Sequence, residues 1–458
     1  MSNVLTKTVV GQRNSVQNQS VRRKESFFTY IDLFSGIGGF RVALDALGGQ
    51  SVGFSEIDKY AIETYKTNFS DPEGHDLGDV TQIDSVPQTD FIVGGVPCQS
   101  WSVAGKMKGF NDPRGKLWFD SLEIVRKAKP RAFLFENVKG LADPRNQSAL
   151  NLIIESFRKI GYLVTYKVLD AYDFGCPQNR SRIFIVGFRD DYRLQFEKFV
   201  WPTPQLHSRC LADFLEGIDK QELQKKKFSV DELFAGKVPM ARNSFQKQDE
   251  LNDFFVLCDT RNGHTSIHSW DLRDTTENQK AICMTIMKNR RKKKYGLRDG
   301  NPLSFEEIIE LYPNATVAEV DDLVQKKILR YHNDGKIDLF HSKNSAGIDN
   351  VYRVYLPNSA IFSTLTATGT KDYVSEVYID ADSVEEYREK FIHEVLKPRN
   401  IRPITPREAS NIQGFPSDFV LHPQAKHANK QIGNSVAPPV VAAVGKQIIR
   451  TGIFELSK

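Results

Sequence analysis

The sequence lacks the features that mark a membrane-spanning, secreted or disulfide-bonded protein. It contains no run of about 18 apolar residues, so we expect no transmembrane helix. The N-terminus has no apolar segment ahead of a small-residue cleavage site, so we expect that the protein is not secreted. The five cysteines are widely spread and include no Cys-x-x-Cys pair, which argues against a disulfide framework and a structural zinc site. A reducing cytoplasm fits these absences best.

The sequence also has little excess charge outside its N-terminal tail. The formal net charge of the 458 residues is +5. Residues 1–27 carry five Lys or Arg residues and one Glu, so they account for +4 and the rest of the chain is near +1. Any binding of nucleic acid therefore depends on local clusters of cations and not on a basic surface as a whole.

The pattern along the chain predicts four segments. Residues 1–26 are polar and poor in aromatics, which is typical of a disordered tail. Residues 27–200 alternate short apolar runs with helical patterns, which indicates an α/β fold with a doubly wound, mostly parallel sheet. Residues 201–429 lose this alternation, and we expect a second, irregular domain there. Residues 430–458 include an apolar helical pattern, and we expect that helix to pack back on the first domain.

A glycine-rich loop follows the first predicted strand and opens the first predicted helix. It reads Asp32-Leu-Phe-Ser-Gly-Ile-Gly-Gly-Phe40, and the backbone N–H groups of such a loop can approach a bound group. Arg41 occupies the third glycine position of the dinucleotide-binding fingerprint, so the loop departs from that motif. Glu56 ends the next strand about 20 residues further on, where a ribose diol would be held. The alternative for this loop is a tight structural turn.

A second loop places a thiol just beyond a strand end. Cys98 follows Pro97 in Gly94-Gly-Val-Pro-Cys-Gln-Ser-Trp-Ser102, after a short apolar strand. A loop between a strand and a helix can lower the pKa of a thiol and keep it approachable, as a nucleophile requires. The alternative for Cys98 is a buried small hydrophobic side chain, which is our interpretation of the other four cysteines.

Charged side chains stand at three further strand ends. Asp79 offers a carboxylate at the carboxyl edge of the sheet, although an Asp in a loop is more often a turn or cap residue. Glu136 ends an apolar strand, where a buried carboxylate is unfavourable unless it has a partner or acts as an acid or base. Arg180 and Arg182 precede another apolar strand and suit the binding of an anion or a base edge, with surface ion pairing as the alternative.

The order of these motifs resembles the DNA (cytosine-5) methyltransferase family. The resemblance covers about residues 28–190 and 400–450, where Phe-Glu-Asn-Val-Lys-Gly, Gln-Asn-Arg-Ser-Arg and two C-terminal motifs, 402–416 and 431–439, complete the set. It implies the fold of methyltransferases that depend on S-adenosylmethionine. It also implies that the second domain is a target-recognition domain of the bacterial restriction–modification type.

The resemblance implies transfer of a methyl group from S-adenosylmethionine to carbon 5 of a cytosine. That cytosine would be flipped out of a specific short site in duplex DNA. Cys98 matches the nucleophile, whose covalent bond to carbon 6 makes carbon 5 reactive. Glu136 matches the residue that contacts N3 and N4 of the base. Arg182 resembles the residue that contacts O2, and Arg180 would support the surroundings of the nucleophile. The resemblance implies no metal.

The resemblance also assigns residues to the cofactor. Phe34 would pack against the adenine, Glu56 would hold the ribose and Asp79 would bind the adenine amine. Asn434 would close the pocket, while Ile57 stands where the family often has an aromatic residue. The methionine part would be surrounded by Gly36, Gly38 and Gly39.

Three parts of the chain are expected to contact DNA. Gln99 and Ser102 belong to the Cys98 loop, and Thr364 and Leu365 match the family's Thr-Leu pair, which positions the recognition loop. A cationic cluster in the second domain would bind phosphate, with a solvated surface as its alternative. This cluster consists of Lys288, Arg290, Arg291, Lys292, Lys293 and Lys294.

The resulting hypothesis is a bacterial, cytoplasmic DNA methyltransferase that acts as a monomer on DNA, without a membrane. It would protect host DNA from a partner restriction endonuclease. An RNA methyltransferase on the same scaffold is one alternative, although the long variable region favours DNA because reading a sequence needs dedicated protein surface. A catalytically inactive DNA-binding regulator is another, disfavoured by the presence of Cys98, Glu136 and Arg182. A nicotinamide-dependent dehydrogenase is a more distant alternative, disfavoured by Arg41.

Overall fold

A six-stranded sheet with helices on both faces forms the first part of the computed structural model. The predicted tail, residues 1–26, and the Cys98 loop lie outside the residues that the structure describes. The described residues are 28–97, 117–205, 209–220, 254–256, 268, 270–298, 300–340, 353–369 and 372–455.

The strand order in this sheet is β2-β1-β3-β4-β6-β5. The pairs β2–β1, β1–β3 and β3–β4 are parallel, whereas β6 runs antiparallel to both of its neighbours. Strands β1 to β4 therefore end at one edge of the sheet, and β6 begins at that same edge. The strands are β1 Phe28–Leu33, β2 Gly49–Ser55, β3 Phe91–Gly95, β4 Ala132–Val138, β5 Tyr162–Asp170 and β6 Ser181–Arg189.

Two pairs of helices cover the faces of this sheet. On one face, α1 (Gly39–Ala46) packs against the C-terminal helix α12 (Pro438–Arg450), which begins with two prolines. Buried side chains from this helix join the core formed with β1 and β3. The other face is covered by α3 (Leu117–Ala128) and α4 (Gln147–Lys159). The shorter helices of this region are α2 (Lys59–Asn68) and α5 (Arg193–Lys198).

The described residues beyond 205 form two further hydrophobic cores. The first surrounds a four-stranded sheet of order β12-β11-β10-β7, together with α9 and α10. The second lies within residues 270–340 and is built by α6, α7, α8 and the β8–β9 hairpin. These elements are β7 Phe254–Val256, α6 Glu277–Asn289, α7 Phe305–Leu311, α8 Val317–Gln325, β8 Leu329–Tyr331, β9 Ile337–Leu339, β10 Arg353–Tyr355, β11 Tyr373–Ser375, α9 Val384–Lys390 with a π-helix over Phe391–Leu396, β12 Ile401–Arg402, α10 Pro406–Gln413 and α11 Ala425–Asn434.

We call the described residues 28–205 the first region and the described residues 209–434 the second region. The second region has more regular secondary structure than the sequence pattern predicts. Capping boxes begin three of its α-helices: Thr276 with Gln279 opens α6, Ser304 with Glu307 opens α7, and Thr405 with Glu408 opens α10. In each box the two residues exchange hydrogen bonds with each other's backbone N–H groups, which satisfies donors that a helix start leaves open. Local capping therefore marks helix starts that the apolar pattern of the sequence does not reveal.

A buried carboxylate stabilises the start of α10. Glu408 is fully buried and accepts hydrogen bonds from both terminal nitrogens of Arg402, at 2.7 and 2.8 Å. It also accepts from the backbone nitrogens of Thr405 and Glu216, each at 2.7 Å. Burial raises the pKa of Glu408, but these donors outweigh burial, so its pKa lies below the ordinary value. Glu408 thus joins three segments of the second region as a carboxylate.

We expect Glu408→Gln to lower the free energy of unfolding by about 2 kcal/mol at neutral pH, because the charge-assisted hydrogen bonds between half-buried Arg402 and this buried carboxylate are lost. A group with a lowered pKa contributes stability above its unfolded pKa, and that stability is lost as the pH falls through the folded pKa. The deficit should therefore shrink in acid. Thermal unfolding across pH measures it, with Glu394→Gln at an exposed position as the control. Equal stability of Glu408→Gln and wild type at neutral pH would contradict this role of the buried carboxylate.

Candidate functional site

A cavity of about 290 Å³ lies at the edge of the sheet where β1 to β4 end. Its walls come from the glycine-rich loop and the start of α2, from the ends of β3 and β4, from the start of β6, and from the end of α11. A volume near 300 Å³ and convergent polar groups are typical of small-molecule sites. The residues predicted from sequence that line this cavity are Phe34, Gly36, Gly39, Glu56, Glu136, Arg180, Arg182 and Asn434.

Glu56 connects the glycine-rich loop to the end of β2. Its Oε2 accepts a hydrogen bond from the Gly36 nitrogen at 2.9 Å, and its Oε1 accepts from the nitrogens of Ile57 and Asp58 at 2.8 Å each. Gly36 has φ of 56°, a left-handed conformation that glycine adopts without strain. The carboxylate of Glu56 is therefore fixed at the cavity wall, with lone pairs left for the hydroxyl groups of a ligand.

The other two glycines of the loop serve close packing. A Cβ on Gly38 would lie 2.4 Å from the ring of Phe69, so this residue faces α2 and is not part of the cavity wall. A Cβ on Gly39 would lie 2.6 Å from Ser435 Oγ and 3.1 Å from the Val436 carbonyl oxygen. Gly39 thus lets the C-terminal segment approach the loop closely.

Arg41, at the position of the missing third glycine, is a buried structural residue. Its Nη1 donates to Tyr65 Oη at 2.9 Å and to Asp71, and its Nε lies 3.2 Å from Asp45 Oδ2. These contacts hold α1 against α2. Burial raises the pKa of nearby Asp32 well above its usual range, although the charge of Arg41 opposes the shift.

The pairing of β4 with β6 brings Glu136 and Arg182 together. Arg182 pairs with Val138, two residues after Glu136, so both charged side chains project from the same face of the sheet. Arg182 Nε lies 3.0 Å from Glu136 Oε1. Burial raises the pKa of Glu136, and the charges of Arg182 and Arg180 only partly oppose this. Glu136 therefore keeps a proton to higher pH than an ordinary glutamate and can donate a hydrogen bond.

Arg180 joins the cavity wall to two distant segments. Its Nη1 donates to the Leu365 carbonyl oxygen at 2.9 Å. Its Nη2 donates to the carbonyl oxygens of Gly433 and Ser435, at 3.1 and 2.5 Å. The residue is 3% exposed, so its guanidinium holds the Thr-Leu segment and the C-terminal motif in place beside the cavity.

The segment that leads to the predicted nucleophile is anchored at the cavity. Pro97 lines the cavity, and the Nδ2 of fully buried Asn137 donates to the Val96 carbonyl oxygen at 3.1 Å. Cys98, and Gln99 and Ser102 after it, lie outside the described residues. The cavity wall thus includes the residue that directly precedes Cys98.

Two predicted contact residues lie outside the cavity wall. Asp79 is exposed, and its Oδ1 accepts from the Thr81 nitrogen at 2.9 Å and caps a short 3₁₀ turn. Leu365 is 5% exposed and packs in the core of the second region. Thr364 donates its hydroxyl to the Asn179 carbonyl oxygen, which attaches this segment to the first region.

The cationic cluster divides into one buried residue and five exposed residues. Arg290 is 2% exposed and its Nη2 lies 3.1 Å from Asp338 Oδ1. The prediction that Arg290 contacts phosphate is therefore wrong, because its guanidinium is buried in an ion pair within the core. The exposed members are Lys288, Arg291, Lys292, Lys293 and Lys294.

An ion pair at the cavity wall was not predicted from the sequence. Asp58 caps α2, and its Oδ2 lies 2.6 Å from Lys430 Nζ on α11. Next to it, Gln431 Nε2 donates to the Tyr60 carbonyl oxygen at 2.8 Å. The available signals were the position of Asp58, two residues after Glu56, and that of Lys430, directly before the 431–439 motif.

Two kinds of feature are absent from the part of the chain that the structure describes. None of the helices there is both long and apolar enough to cross a membrane. No group of three or more His, Cys, Asp or Glu side chains there is placed to hold a metal ion.

Comparison with known proteins identifies the family. The model of the C-5 cytosine-specific DNA methylase family matches residues 28–450. The type II methyltransferase M.HgiBI of Herpetosiphon aurantiacus is 45% identical over 93% of this chain and 98% of its own length. The type II methyltransferase M.BanI of Aneurinibacillus aneurinilyticus is 34% identical over 93% of this chain and 97% of its own length. The chain belongs to the C-5 cytosine-specific DNA methylase family and is a DNA (cytosine-5) methyltransferase.

Proposed function

We propose that this methyltransferase modifies one cytosine of a short duplex DNA site inside the cavity at the sheet edge, and that it protects host DNA in a type II restriction–modification system. The observation that carries the proposal is the pair of buried Glu136 and half-buried Arg182, whose Oε1 and Nε lie 3.0 Å apart. It shares a cavity with the glycine-rich loop and Glu56. A pair suited to a base and a site suited to a nucleoside therefore lie within one cavity.

The residues of the cavity fit S-adenosylmethionine. Phe34 offers an aromatic ring for the adenine, and the fixed carboxylate of Glu56 suits the ribose hydroxyls. The methionine part would lie against the backbone of Gly36 and Gly39, with Asn434 from the C-terminal motif closing the cavity. When bound, S-adenosylmethionine supplies an electrophilic methyl group.

The base-binding residues suit an extrahelical cytosine. Such a base exposes N3, an acceptor, and N4, a donor, once it leaves the duplex. Burial raises the pKa of Glu136 and so favours its protonated form, which donates to N3 and accepts from N4, while Arg182 donates to O2. These contacts stabilise the negative charge that develops on the ring when a nucleophile adds.

Cys98 supplies that nucleophile in our proposal. Its thiolate would form a bond to carbon 6, which would turn the ring into an enamine whose carbon 5 can accept the methyl group, with S-adenosylhomocysteine as the leaving group. The proton on carbon 5 is then lost and the thiolate departs, which restores the aromatic base. Arg180 acts as a positioning residue, because it holds the segments at 365 and 433–435 beside the cavity.

DNA would lie against residues 201–429, which we propose as the target-recognition domain. Its exposed lysines and Arg291 suit phosphate, and Thr364 positions the recognition segment through its bond to Asn179. Gln99 and Ser102 would contact DNA from the Cys98 loop. We further propose that the protein acts as a monomer in the bacterial cytoplasm, and that a separate endonuclease cuts the same site when it is unmodified.

Bisulfite sequencing tests the proposed function directly. Purified protein with S-adenosylmethionine should protect cytosines of unmethylated duplex DNA in one recurring short context. Cys98→Ser should abolish protection, whereas Cys210→Ser, a half-buried thiol outside the cavity, should retain it. Protection that persists in Cys98→Ser would contradict the nucleophile. Protection of RNA with none of DNA would contradict the substrate.

Glu136→Gln should slow methylation about 10²- to 10⁴-fold, the usual contribution of a positioned acid or base. The amide keeps the size of the side chain and removes its exchangeable acid proton. The dissociation constant of S-adenosylmethionine should stay within about twofold of wild type, because Glu136 faces the base and not the cofactor. Single-turnover kinetics and calorimetry measure these quantities, with exposed Glu123→Gln as the control. A variant with weakened cofactor binding and normal turnover would exclude this role.

A further inference from the structure

A fixed loop follows helix α6 on the surface of the second region. We call residues 291–298 the basic loop; it continues the chain from the end of α6, and Gly300 and Asn301 follow it. It contains Arg291, Lys292, Lys293, Lys294 and Arg298, all exposed, with one exposed leucine, Leu297.

Buried polar groups hold both ends of the basic loop together. Asn301 is 4% exposed, and its backbone nitrogen donates to the Arg290 carbonyl oxygen at 2.8 Å. Its Nδ2 donates to the Arg298 carbonyl oxygen at 2.9 Å, and its Oδ1 accepts from the Arg298 nitrogen at 3.2 Å. A side chain that satisfies donors and acceptors on both ends defines one loop conformation. The loop is therefore preorganised.

Two glycines and a tyrosine complete this anchoring. A Cβ on Gly296 would lie 2.3 Å from Asn301 Oδ1, and a Cβ on Gly300 would lie 2.5 Å from Arg290 Nη2. Tyr295, between the lysines and Gly296, is 8% exposed and packs in the core of residues 270–340. The loop thus has a buried centre and a fixed path, and its remaining side chains are exposed to solvent.

The charges of this region are segregated along the chain. Residues 288–298 contain seven Lys or Arg residues and no acidic residue, whereas residues 305–325 contain six acidic residues and no Lys or Arg. Lys288, Lys292 and Lys293 have no acidic partner among the residues that the structure describes. Lys294 is the exception, because its Nζ lies 3.8 Å from Glu310 Oε2 on α7. A surface on which most cations have no acidic neighbour is complementary to a polyanion.

Leu297 is the exception on this cationic surface. It is 96% exposed, the highest value among the exposed large hydrophobic residues of the described chain. A flexible loop could turn an apolar side chain away from water, but the anchored loop holds Leu297 out in solvent. Burial of such a leucine against another molecule removes apolar surface from water and is therefore favourable.

We propose that the basic loop binds the target duplex, with its cations on phosphates and Leu297 against the base edges in a groove, so that Leu297 contributes to site specificity. Phosphate contacts position a protein on DNA without reading sequence, whereas apolar contact with base edges distinguishes one base pair from another. The proposal rests on the proposed function as a DNA methyltransferase that reads a site. Within that function it assigns different roles to neighbouring residues of one loop.

The test compares two variants with matched controls on duplexes that carry the enzyme's own site or the site with one base pair changed. Leu297→Ser removes the apolar contact, and Leu194→Ser, at a 69% exposed leucine on α5, is its control. The double variant Lys292→Gln/Lys293→Gln removes two cations, and Lys159→Gln/Lys198→Gln is its control on exposed lysines of the first region. The value of kcat/KM is measured on each duplex over a series of salt concentrations.

Leu297→Ser should lower kcat/KM on the true site about tenfold and on at least one changed site about twofold or less, with an unchanged salt dependence. The double lysine variant should lower both equally and reduce the slope of log kcat/KM against log salt by about 1.8, or 0.9 for each phosphate contact. Both control variants should match wild type.

The proposal fails if Leu297→Ser behaves like Leu194→Ser, or if it lowers kcat/KM equally on all duplexes. An unchanged salt slope in the double lysine variant would exclude phosphate contacts by Lys292 and Lys293. Failure of the proposed function itself looks different, because wild type would then methylate no duplex. Thermal unfolding of Leu297→Ser should match wild type, since the side chain contacts solvent, so a change in kinetics reports on binding.

Discussion

The cavity depends on one buried guanidinium. Arg180 comes from the start of β6, yet its donors satisfy carbonyl oxygens of Leu365, Gly433 and Ser435, 185 to 255 positions further along the chain. A second buried contact supports it: Gln178 donates to Gln413 at 2.7 Å, and Gln413 in turn donates to the Ser435 carbonyl oxygen at 2.9 Å. Together with the Lys430–Asp58 ion pair and the packing of α12 on α1, these bonds hold the C-terminal motif over the glycine-rich loop. Buried donors and acceptors that satisfy each other therefore complete the cavity.

Local donors decide what each buried glutamate does. Glu136 and Glu408 are both almost fully buried, and burial raises the pKa of each. Glu408 receives four hydrogen bonds, two of them from Arg402, and its pKa falls. Glu136 has an ion pair with Arg182 that opposes burial only in part, and its pKa rises. Glu408 is thus suited to stabilise the fold as a carboxylate, whereas Glu136 is suited to donate a hydrogen bond to a ligand in the cavity.

Much of the first region follows from the sequence alone. Short apolar runs bounded by Gly, Asp or Pro predicted β1, β3, β4 and β6, and strand ends were the expected place for Glu56 and Glu136. The contact between Glu136 and Arg182 did not follow, because it depends on the register of two antiparallel strands and joins residues 46 positions apart. The role of Asp79 as a cap was one of two alternatives that the sequence leaves open.

The second region shows why neighbouring residues of one motif can differ. Arg290 and Arg291 are adjacent in a run of cations, yet Arg290 is buried because its partner Asp338 comes from β9, 48 residues later. No local pattern contains that partner. The helices of this region were also missed, although the boxes at Thr276 and Ser304 mark their starts. The apolar pattern of α6 is weak, and α7 spans only seven residues.

The central claim is that the cavity holds a flipped cytosine against Glu136 while Cys98 bonds to it. Duplex DNA with 5-fluorocytosine at the target position tests this most directly, because fluorine does not leave carbon 5 as the proton does and the thiolate then stays bound. With S-adenosylmethionine present, we expect a complex that survives denaturation, and a peptide in which mass spectrometry locates the base on Cys98. A stable complex through another residue, or none on a site that the enzyme methylates when it carries ordinary cytosine, would contradict the claim.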